Sequence, residues 1–517
     1  MTTQCRLALG ALGALWPAAA LGQAAAPAET PKLELREAPK PTIATEDPLS
    51  PRPGGLTSDV VAKKAVAASP SIAGKQAEID AANAKVDQAM IQFFPRLTLK
   101  ASYVRTSPVK LEFGGGGAMV ATPGVIPANT PPAAVTGACD GVAAAGGGCV
   151  TTTSGATIPL VPFQFTIPVV QDNYSLSATL GVPISDYVLR LSKTMAATRA
   201  NERASQLNKQ AEELKVATDA RIAYYNWVRG VAATTVAESA LVRIKALQKD
   251  TEAAFTVGVA TKADVLRVDS LAASTELTIT ETQNLKQLTA EQLALLMGEP
   301  SREYQVGENV RAAPPPAGQD APLPALVSEA HRKRLELRAL AEADQSLEKA
   351  AAVVRVGEYP RLDGFGEFDY ARPNRNYMFD PKAWHSNWML GLSLSYTFND
   401  SFSNSASARE YDANRRKLRY DVENVKRGLQ MEVTSAYLDQ KKARVALDTA
   451  QRGLKSAQEA YRVALDLYRV GRATTTELIA SEQELLTAAL REVNAAIDFR
   501  LAAIRLAHAT GRDVPGG

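Results

Sequence analysis

The sequence predicts a mainly α-helical chain that also carries four β-strands of membrane-crossing length. Three observations support this: two long stretches without proline, four segments in which apolar and polar residues alternate, and an internal repeat. Strands that are apolar on one face and small and polar on the other are typical of outer-membrane β-barrels. The four strands of one chain cannot close a barrel, and two copies would give eight strands, whose interior is filled by side chains. Three copies would give twelve strands, enough for an open lumen, so we expect a trimer with one 12-strand barrel.

The composition argues against several classes of function. The 517 residues include 58 Lys and Arg against 55 Asp and Glu, a formal net charge of +3. A nucleic-acid-binding protein would need a more basic surface. Three histidines and three cysteines leave little for a metal site or a Cys–His pair. We also find no phosphate-binding loop and no Ser–His–Asp set, so the sequence predicts neither an enzyme nor a cofactor.

The N-terminal residues predict export. In residues 1–22 a basic residue, Arg6, precedes a short apolar stretch and a small-x-small cleavage site, as in a signal peptide. Residues 23–55 are rich in proline and predict an extended segment. In an oxidising compartment we expect the two remaining cysteines, Cys139 and Cys149, to form a local disulfide, with two free thiols as the alternative.

The two halves of the chain match each other after a shift of 213 residues, without a gap from residue 223 to 298. Ala223-Tyr224 then lies on Ala436-Tyr437, and Val257-Gly258 lies on Val470-Gly471. Such a match indicates duplication of one module. We assign the first repeat to 56–311 and the second to 325–514, joined by a Pro-rich linker at 312–324. The first repeat also contains a long outer loop at 106–172, which holds both of these cysteines.

Each repeat reads as a helix, a strand pair and a long helical hairpin. The predicted helices before the strands are 57–92 and 324–356, and the predicted strands are 97–105, 174–182, 362–370 and 388–398. A helix over 190–254 would be ~97 Å long, and its return over 262–297 would be ~54 Å. The predicted helices 57–92 and 262–297, placed end to end, would therefore be about as long as the helix 190–254. The last helix carries a seven-residue repeat of Leu478, Leu485, Glu492, Phe499 and Leu506, which predicts a coiled-coil seam; an ordinary amphipathic helix is the alternative.

This order of elements, with Phe-Pro-Arg-Leu at 94–97 and the duplicated Val-Gly-x-Ala-Thr turn, resembles the TolC family of outer membrane efflux proteins over roughly residues 56–514. The resemblance implies a homotrimer with a 12-strand barrel in outer-membrane lipid and a 12-helix coiled-coil barrel across the periplasm. It also implies the role of exit duct for an inner-membrane pump of the RND or ABC type, joined through a periplasmic adaptor (membrane fusion) protein.

The resemblance also implies roles for residues at the two turns. Glu477 matches an acidic ring that narrows the periplasmic end, and Tyr468, Arg472 and Asp264 match a latch that keeps this gate closed. Ala480 stands where the family has a second acidic residue, so a double acidic ring is not expected. A solvated charge pair is the alternative for Arg472 and Asp264. The expected adaptor-docking residues of the tip are Val257, Gly258, Thr261, Val470, Gly471 and Thr474.

The predicted function is passive export of small molecules through the outer membrane. Type I protein secretion and metal efflux are alternatives with the same fold, because a duct contacts any cargo only transiently. A periplasmic coiled-coil adaptor or structural protein is an alternative of another class. It would predict one hairpin and a separate β domain, whereas this sequence has a duplicated hairpin and four strands.

Overall fold

The computed structural model describes residues 51–107, 170–300, 303–309, 321–377 and 380–513, together with the backbone of five short strands between 119 and 162. All of these residues fall in one unit, Pro48–Gly517. The predicted signal peptide at 1–22 and most of the segments 23–55, 106–172 and 312–324 lie outside them. Cys139 does too, and only the backbone of Cys149 is described, so the disulfide stays a prediction.

Helices make up most of the described chain. In chain order they are α1 (Ser58–Ala68), α2 (Pro70–Ile91), α3 (Ile184–Leu189), α4 (Leu191–Thr256), α5 (Lys262–Met297), α6 (Leu323–Lys333), α7 (Leu335–Val356), α8 (Phe398–Arg469) and α9 (Thr475–Ala509). None of these helices contains a stretch long and apolar enough to span a membrane.

The strands fall into one large sheet and two small ones. In chain order they are β1 (Arg96–Arg105), β2 (Met119–Val120), β3 (Val135–Thr136), β4 (Cys149–Thr151), β5 (Thr157–Pro159), β6 (Val161–Pro162), β7 (Asp172–Val182), β8 (Arg361–Arg372) and β9 (His385–Ser395). The large sheet is antiparallel with the order β1-β7-β8-β9, so the four predicted strands form one sheet.

The helices pack as continuous rods beside broken ones. The continuous helix α4 packs against α2 and α7 in its half near the sheet and against α5 and α9 in its other half. The second continuous helix, α8, packs against α7 and then α9. Short helices therefore follow each other along the long ones, which confirms the geometry expected from their lengths.

Two predicted helices are each interrupted. Residues 57–92 form α1 and α2 because Pro70 cannot donate a helical hydrogen bond and Ser69 before it is extended. Residues 324–356 form α6 and α7, with Arg334 extended between them. No proline causes this second break. Arg334 is instead buried, with its guanidinium hydrogen-bonded to Glu336, Glu432 and the carbonyl of His508.

The register of the sheet brings most apolar residues of all four strands to one face. Leu99, Ala178, Phe368 and Trp388 form one row across it. On the opposite face, Lys100, Ser177, Asp369 and Asn387 form the next row. Because strand side chains alternate between the two faces, these rows confirm the predicted apolar and polar faces.

The last strand of the sheet begins and ends earlier than predicted. Trp388 lies within the sheet, and it is Trp384 that stacks on Tyr370, with ring centroids 5.0 Å apart, and approaches Tyr174 at 6.0 Å. Strand β9 ends at Ser395, and Phe398 already begins α8. The predicted strand 388–398 was therefore placed too far along the chain, because its alternation continues into the first turn of the helix.

The main apolar core lies where α1, α4, α5 and α9 meet. It centres on Trp227 and Tyr224, which are 1% and 0% exposed, and includes Leu293 and Ile497. The Tyr224 hydroxyl donates to the Leu56 carbonyl at 2.8 Å, and the residues around Leu56 pair with those around Val306. This core therefore fixes the segments around Leu56 and Val306 against the helices.

Candidate functional site: the two helix turns

The first turn connects α4 to α5 in only five residues. Gly258 has φ +80°, in the left-handed region that residues with a Cβ rarely adopt. The next amide, of Val259, donates to the carbonyl of Ala254 at 2.9 Å. Such a bond satisfies a carbonyl that the helix end would otherwise leave free. Gly258 is therefore required by the turn itself.

The second turn, between α8 and α9, repeats this geometry. Gly471 has φ +73°, and the Arg472 amide donates to the Leu467 carbonyl at 2.9 Å. Each of these residues lies 213 positions after its counterpart in the first turn. The duplication found in the sequence is thus also a duplication of backbone structure.

Both predicted gate acids belong to helix N-terminal capping boxes. Asp264 Oδ2 accepts hydrogen bonds from the amide and hydroxyl of Thr261 at 3.0 and 2.6 Å. Glu477 Oε2 accepts the same pair of bonds from Thr474 at 2.8 and 3.1 Å. In return each threonine hydroxyl accepts from the amide of its acid. The two hydroxyls thereby satisfy helix N–H groups that have no partner within the helix.

These hydrogen bonds favour the charged form of both acids. The bonds from Thr261 hold the pKa of Asp264 below its ordinary value, and the bonds from Thr474 do the same for the pKa of Glu477. The Thr-x-x-Asp and Thr-x-x-Glu spacings that specify capping boxes are present in the sequence. The gate is the only role expected of these acids from the resemblance, and the capping role is one that this expectation missed.

The structure brings only some of the predicted gate residues together within one chain. Arg472 and Glu477 line an open cavity of about 850 Å³ between α8 and α9. Tyr468 instead packs, partly buried, against the apolar cluster around Leu478. Asp264 lies on the other hairpin, where its Oδ1 accepts from Arg267 at 3.2 Å. Among the described residues Arg472 has no ion pair, so a latch to Asp264 would have to join two copies and stays a prediction.

The expected docking residues divide into exposed and engaged ones. Val257 and Val470 are 73% and 57% exposed, and Val259 beside the first turn is also exposed. Thr261 and Thr474 use their hydroxyls in the capping boxes. Docking of an adaptor stays a prediction, and the exposed valines are the side chains most available for it.

Two contacts between the hairpins were not visible in the sequence. Arg267 on α5 approaches the hydroxyl of Thr476 on α9 at 3.4 Å. Farther from the turns, Arg243 on α4 forms a salt bridge of 2.8 Å with buried Glu482 on α9. The partners in these pairs are 209 and 239 residues apart, and no local pattern links residues at such distances.

The second repeat matches a known family in sequence. Residues 326–512 match the profile of the outer membrane efflux protein family. The chain carries an outer membrane efflux protein domain. The match covers the second strand pair and both helices of the second hairpin. Apart from α3 and the short strands β2–β6, the first repeat of the chain has the same elements in the same order.

Solved channel structures share the fold of this chain. The CmeC outer membrane channel of Campylobacter jejuni superposes with a TM-score of 0.64 at 15% identity, covering 89% of each chain. The outer membrane protein VceC of Vibrio cholerae gives 0.64 at 16% identity, over 88% of this chain and 96% of that one. The open state of the MtrE outer membrane channel of Neisseria gonorrhoeae gives 0.65 at 14% identity, over 88% of each. No curated protein matches this chain.

Proposed function

We propose that three copies of this efflux protein form a passive exit duct for small molecules through the outer membrane and across the periplasm. An inner-membrane pump of the RND or ABC type would supply the molecules, and a periplasmic adaptor would join the pump to the turns. The outer-membrane efflux role follows from the family match, and the cargo class, the trimer and the partners are the proposal.

One observation carries this proposal: the four-stranded sheet has an apolar face and two open edges. Leu99, Leu180, Leu390 and Leu392 are exposed on that face, with Leu390 74% exposed. Within the described residues, the edge strands β1 and β9 each pair on one side only. Lipid offers no hydrogen bonds to a free edge, so strands in a membrane must close into a barrel. Three copies would supply the 12 strands of one barrel with an open lumen.

The helices near the turns support the same assembly. They pack in the row α5-α4-α9-α8, so α5 and α8 form its outer sides. The outer side of α5 exposes four leucines spaced 11, 11 and 7 residues apart, which places them along one narrow stripe of the helix. They are Leu266, Leu277, Leu288 and Leu295. A neighbouring copy that packs its α8 along this stripe would cover it.

Fractionation and reconstitution test the proposal. We expect the protein in outer-membrane fractions as a heat-modifiable band that cross-links to a trimer and no further. We also expect purified trimers to form channels in planar lipid bilayers. A cross-linker attached at a Val257→Cys or Val470→Cys substitution should capture an adaptor. A monomer in the soluble periplasmic fraction would contradict the duct and would favour a periplasmic structural protein.

A further inference from the structure

A buried ion pair joins the two hairpins of one copy a few helical turns from their tips. The Glu482 side chain on α9 is only 2% exposed. Arg243 on α4 directs Nε to Oε1 and Oε2 at 3.0 and 3.2 Å, and its Nη2 lies 2.8 Å from Oε1. Such a fork of donors on one carboxylate fixes both distance and angle between the side chains. The pair therefore specifies how α9 lies on α4.

A third helix approaches this site through Tyr461 of α8, which packs, partly buried, against the same apolar cluster. Burial, and then the negative charge of Glu482, raises the pKa of Tyr461 to about 12. The hydroxyl thus keeps its proton and is available to donate. Burial also raises the pKa of Glu482, while Arg243 and Tyr461 act in the opposite direction. Helix α8 thus packs beside the ion pair that connects α4 and α9.

The surroundings of this charge are apolar. Ile244, Leu247 and Leu271 are buried in the cluster beside it, and Leu478 lies one turn before Glu482 on α9. An apolar side chain at position 482 would avoid the cost of burying a charge. In packed helices, a single buried polar group specifies register at a cost in stability. The chemistry of the site thus favours a role in positioning over one in stability.

Only the polar contacts between the hairpins become weaker from this site towards the turns. The apolar cluster continues in that direction through Leu247, Val268 and Leu478, whereas the polar contact described there is the one between Arg267 and Thr476, at 3.4 Å and exposed to solvent. The turn residues themselves are exposed, as Val259 and Val470 show. Among the described residues, the Arg243–Glu482 pair is therefore the last polar connection between the hairpins that has a buried partner before the tips.

We propose that Arg243 and Glu482 are positioning residues of the periplasmic gate. They anchor α9 to α4 within each copy, and we call this ion pair the anchor. When the gate opens, only the part of the second hairpin between the anchor and its turn then bends. Loss of the anchor frees a longer part of α8 and α9 and lets the tip move outward. This inference rests on the proposed function, because it assumes that the turns close a duct.

Open probability in planar bilayers tests the anchor. Glu482→Gln keeps the size of the side chain and removes its charge, and we expect it to raise the open probability about fivefold, as for coupled residues of one network. Arg243→Lys keeps the charge and loses the fork, so a smaller increase is expected. The matched control is Asp498→Asn, because Asp498 pairs with Arg229 at 2.5 Å between the same two helices but is 55% exposed. This control should keep the wild-type open probability.

A charge exchange separates positioning from packing. Arg243→Glu combined with Glu482→Arg restores the ion pair in reverse, and we expect it to return the open probability towards the wild-type value.

The Arg243→Lys variant tests the proposal if Glu482→Gln fails to assemble. Because the Arg243 side chain is already one third exposed, we expect this variant to fold and assemble. If the variants form trimers with the open probability of the wild type, the proposed role of the Arg243–Glu482 pair is wrong and the proposed duct is unaffected. A wild-type protein that forms no channel would overturn the proposed function and the anchor with it.

Discussion

At the residue scale, Asp264 and Glu477 each have a role that does not depend on a gate. Both complete capping boxes with the threonine three positions earlier. A change at either acid would therefore alter the start of a helix as well as any acidic ring or latch. Experiments on the gate must separate these effects, and the capping threonines offer the means to do so.

Thr474→Ala should loosen the first turn of α9. Loss of a threonine N-cap costs about 1 kcal/mol, which corresponds to about fivefold faster amide exchange in that turn. Hydrogen exchange of peptides covering 475–478 measures this directly. Thr474→Ser, which keeps the hydroxyl, is the control and should stay close to the wild type. Equal exchange in the alanine variant would show that the cap does not hold the turn.

The capping acids also predict a pH dependence. Because the folded-state pKa of Glu477 is lowered, its stabilising effect is present above the unfolded-state pKa and is lost as the pH falls through the folded value. At pH 7 we expect Glu477→Gln to exchange the amides of this turn about two- to fivefold faster than the wild type, since a negative charge at a helix N-terminus is favourable. At pH 3 the two proteins should exchange alike. A difference that persists at pH 3 would argue against the carboxylate as its cause.

The latch between copies is best tested at Arg472. This side chain has no ion pair among the described residues of its own chain, so Arg472→Ser should remove only contacts to a neighbouring copy. We expect a higher conductance in planar bilayers if the latch exists. Asp264→Asn is the companion variant, because an amide oxygen can still accept from Thr261 where alanine cannot. Unchanged low conductance in both variants would leave no role for the latch.

At the scale of elements, the sequence predicted the lengths and order of the long helices. It did not predict the breaks in the two helices that precede the strands, or the contacts between the hairpins. The return helix predicted over 262–297 is α5, residue for residue, because Thr261 before it and Gly298 after it are local signals. The break at Pro70 has a local signal too, although continuous apolar spacing outweighed it. The break at Arg334 has none, since Glu432 and His508, which hold its side chain, are distant in sequence.

Gly230 marks a close approach between α4 and α5. A Cβ placed there would lie 2.9 Å from the Cα of Lys286 on α5, a distance that requires the backbones to separate. Gly230→Ala should therefore lower the thermal stability of the protein, although alanine normally favours a helix over glycine by about 1 kcal/mol. The control is Gly428→Ala on α8, where a Cβ meets no described atom within 4 Å. That variant should be at least as stable as the wild type, as measured by circular dichroism on heating.

At the scale of the whole molecule, the sequence predicted the composite of sheet and hairpins because the duplication fixes which elements correspond. It predicted the apolar face from period-two alternation alone, and the register then aligned that face across four strands. It could not predict which edge residues meet in an assembly, because those contacts join separate chains.

The apolar face makes a prediction about membrane insertion. Leu390→Arg places a charge on that face and should cost about 2–4 kcal/mol if the residue lies near the bilayer centre. We expect fewer trimers in outer-membrane fractions and more degraded protein. Ser177→Arg is the control, because Ser177 lies on the opposite, polar face of the sheet. Equal insertion of both variants would contradict the assignment of Leu390 to lipid.

The shared backbone of the two turns has a consequence for stoichiometry. A threefold assembly of a chain with two equivalent turns presents six loops of the same backbone shape around one axis. Their side chains alternate, since Val259 of the first turn corresponds to Arg472 of the second. A partner that reads backbone shape and the common Val-Gly pair would find six equal positions. A partner that reads charge would find three. The number of partner chains bound per trimer would therefore report which of these two features is recognised.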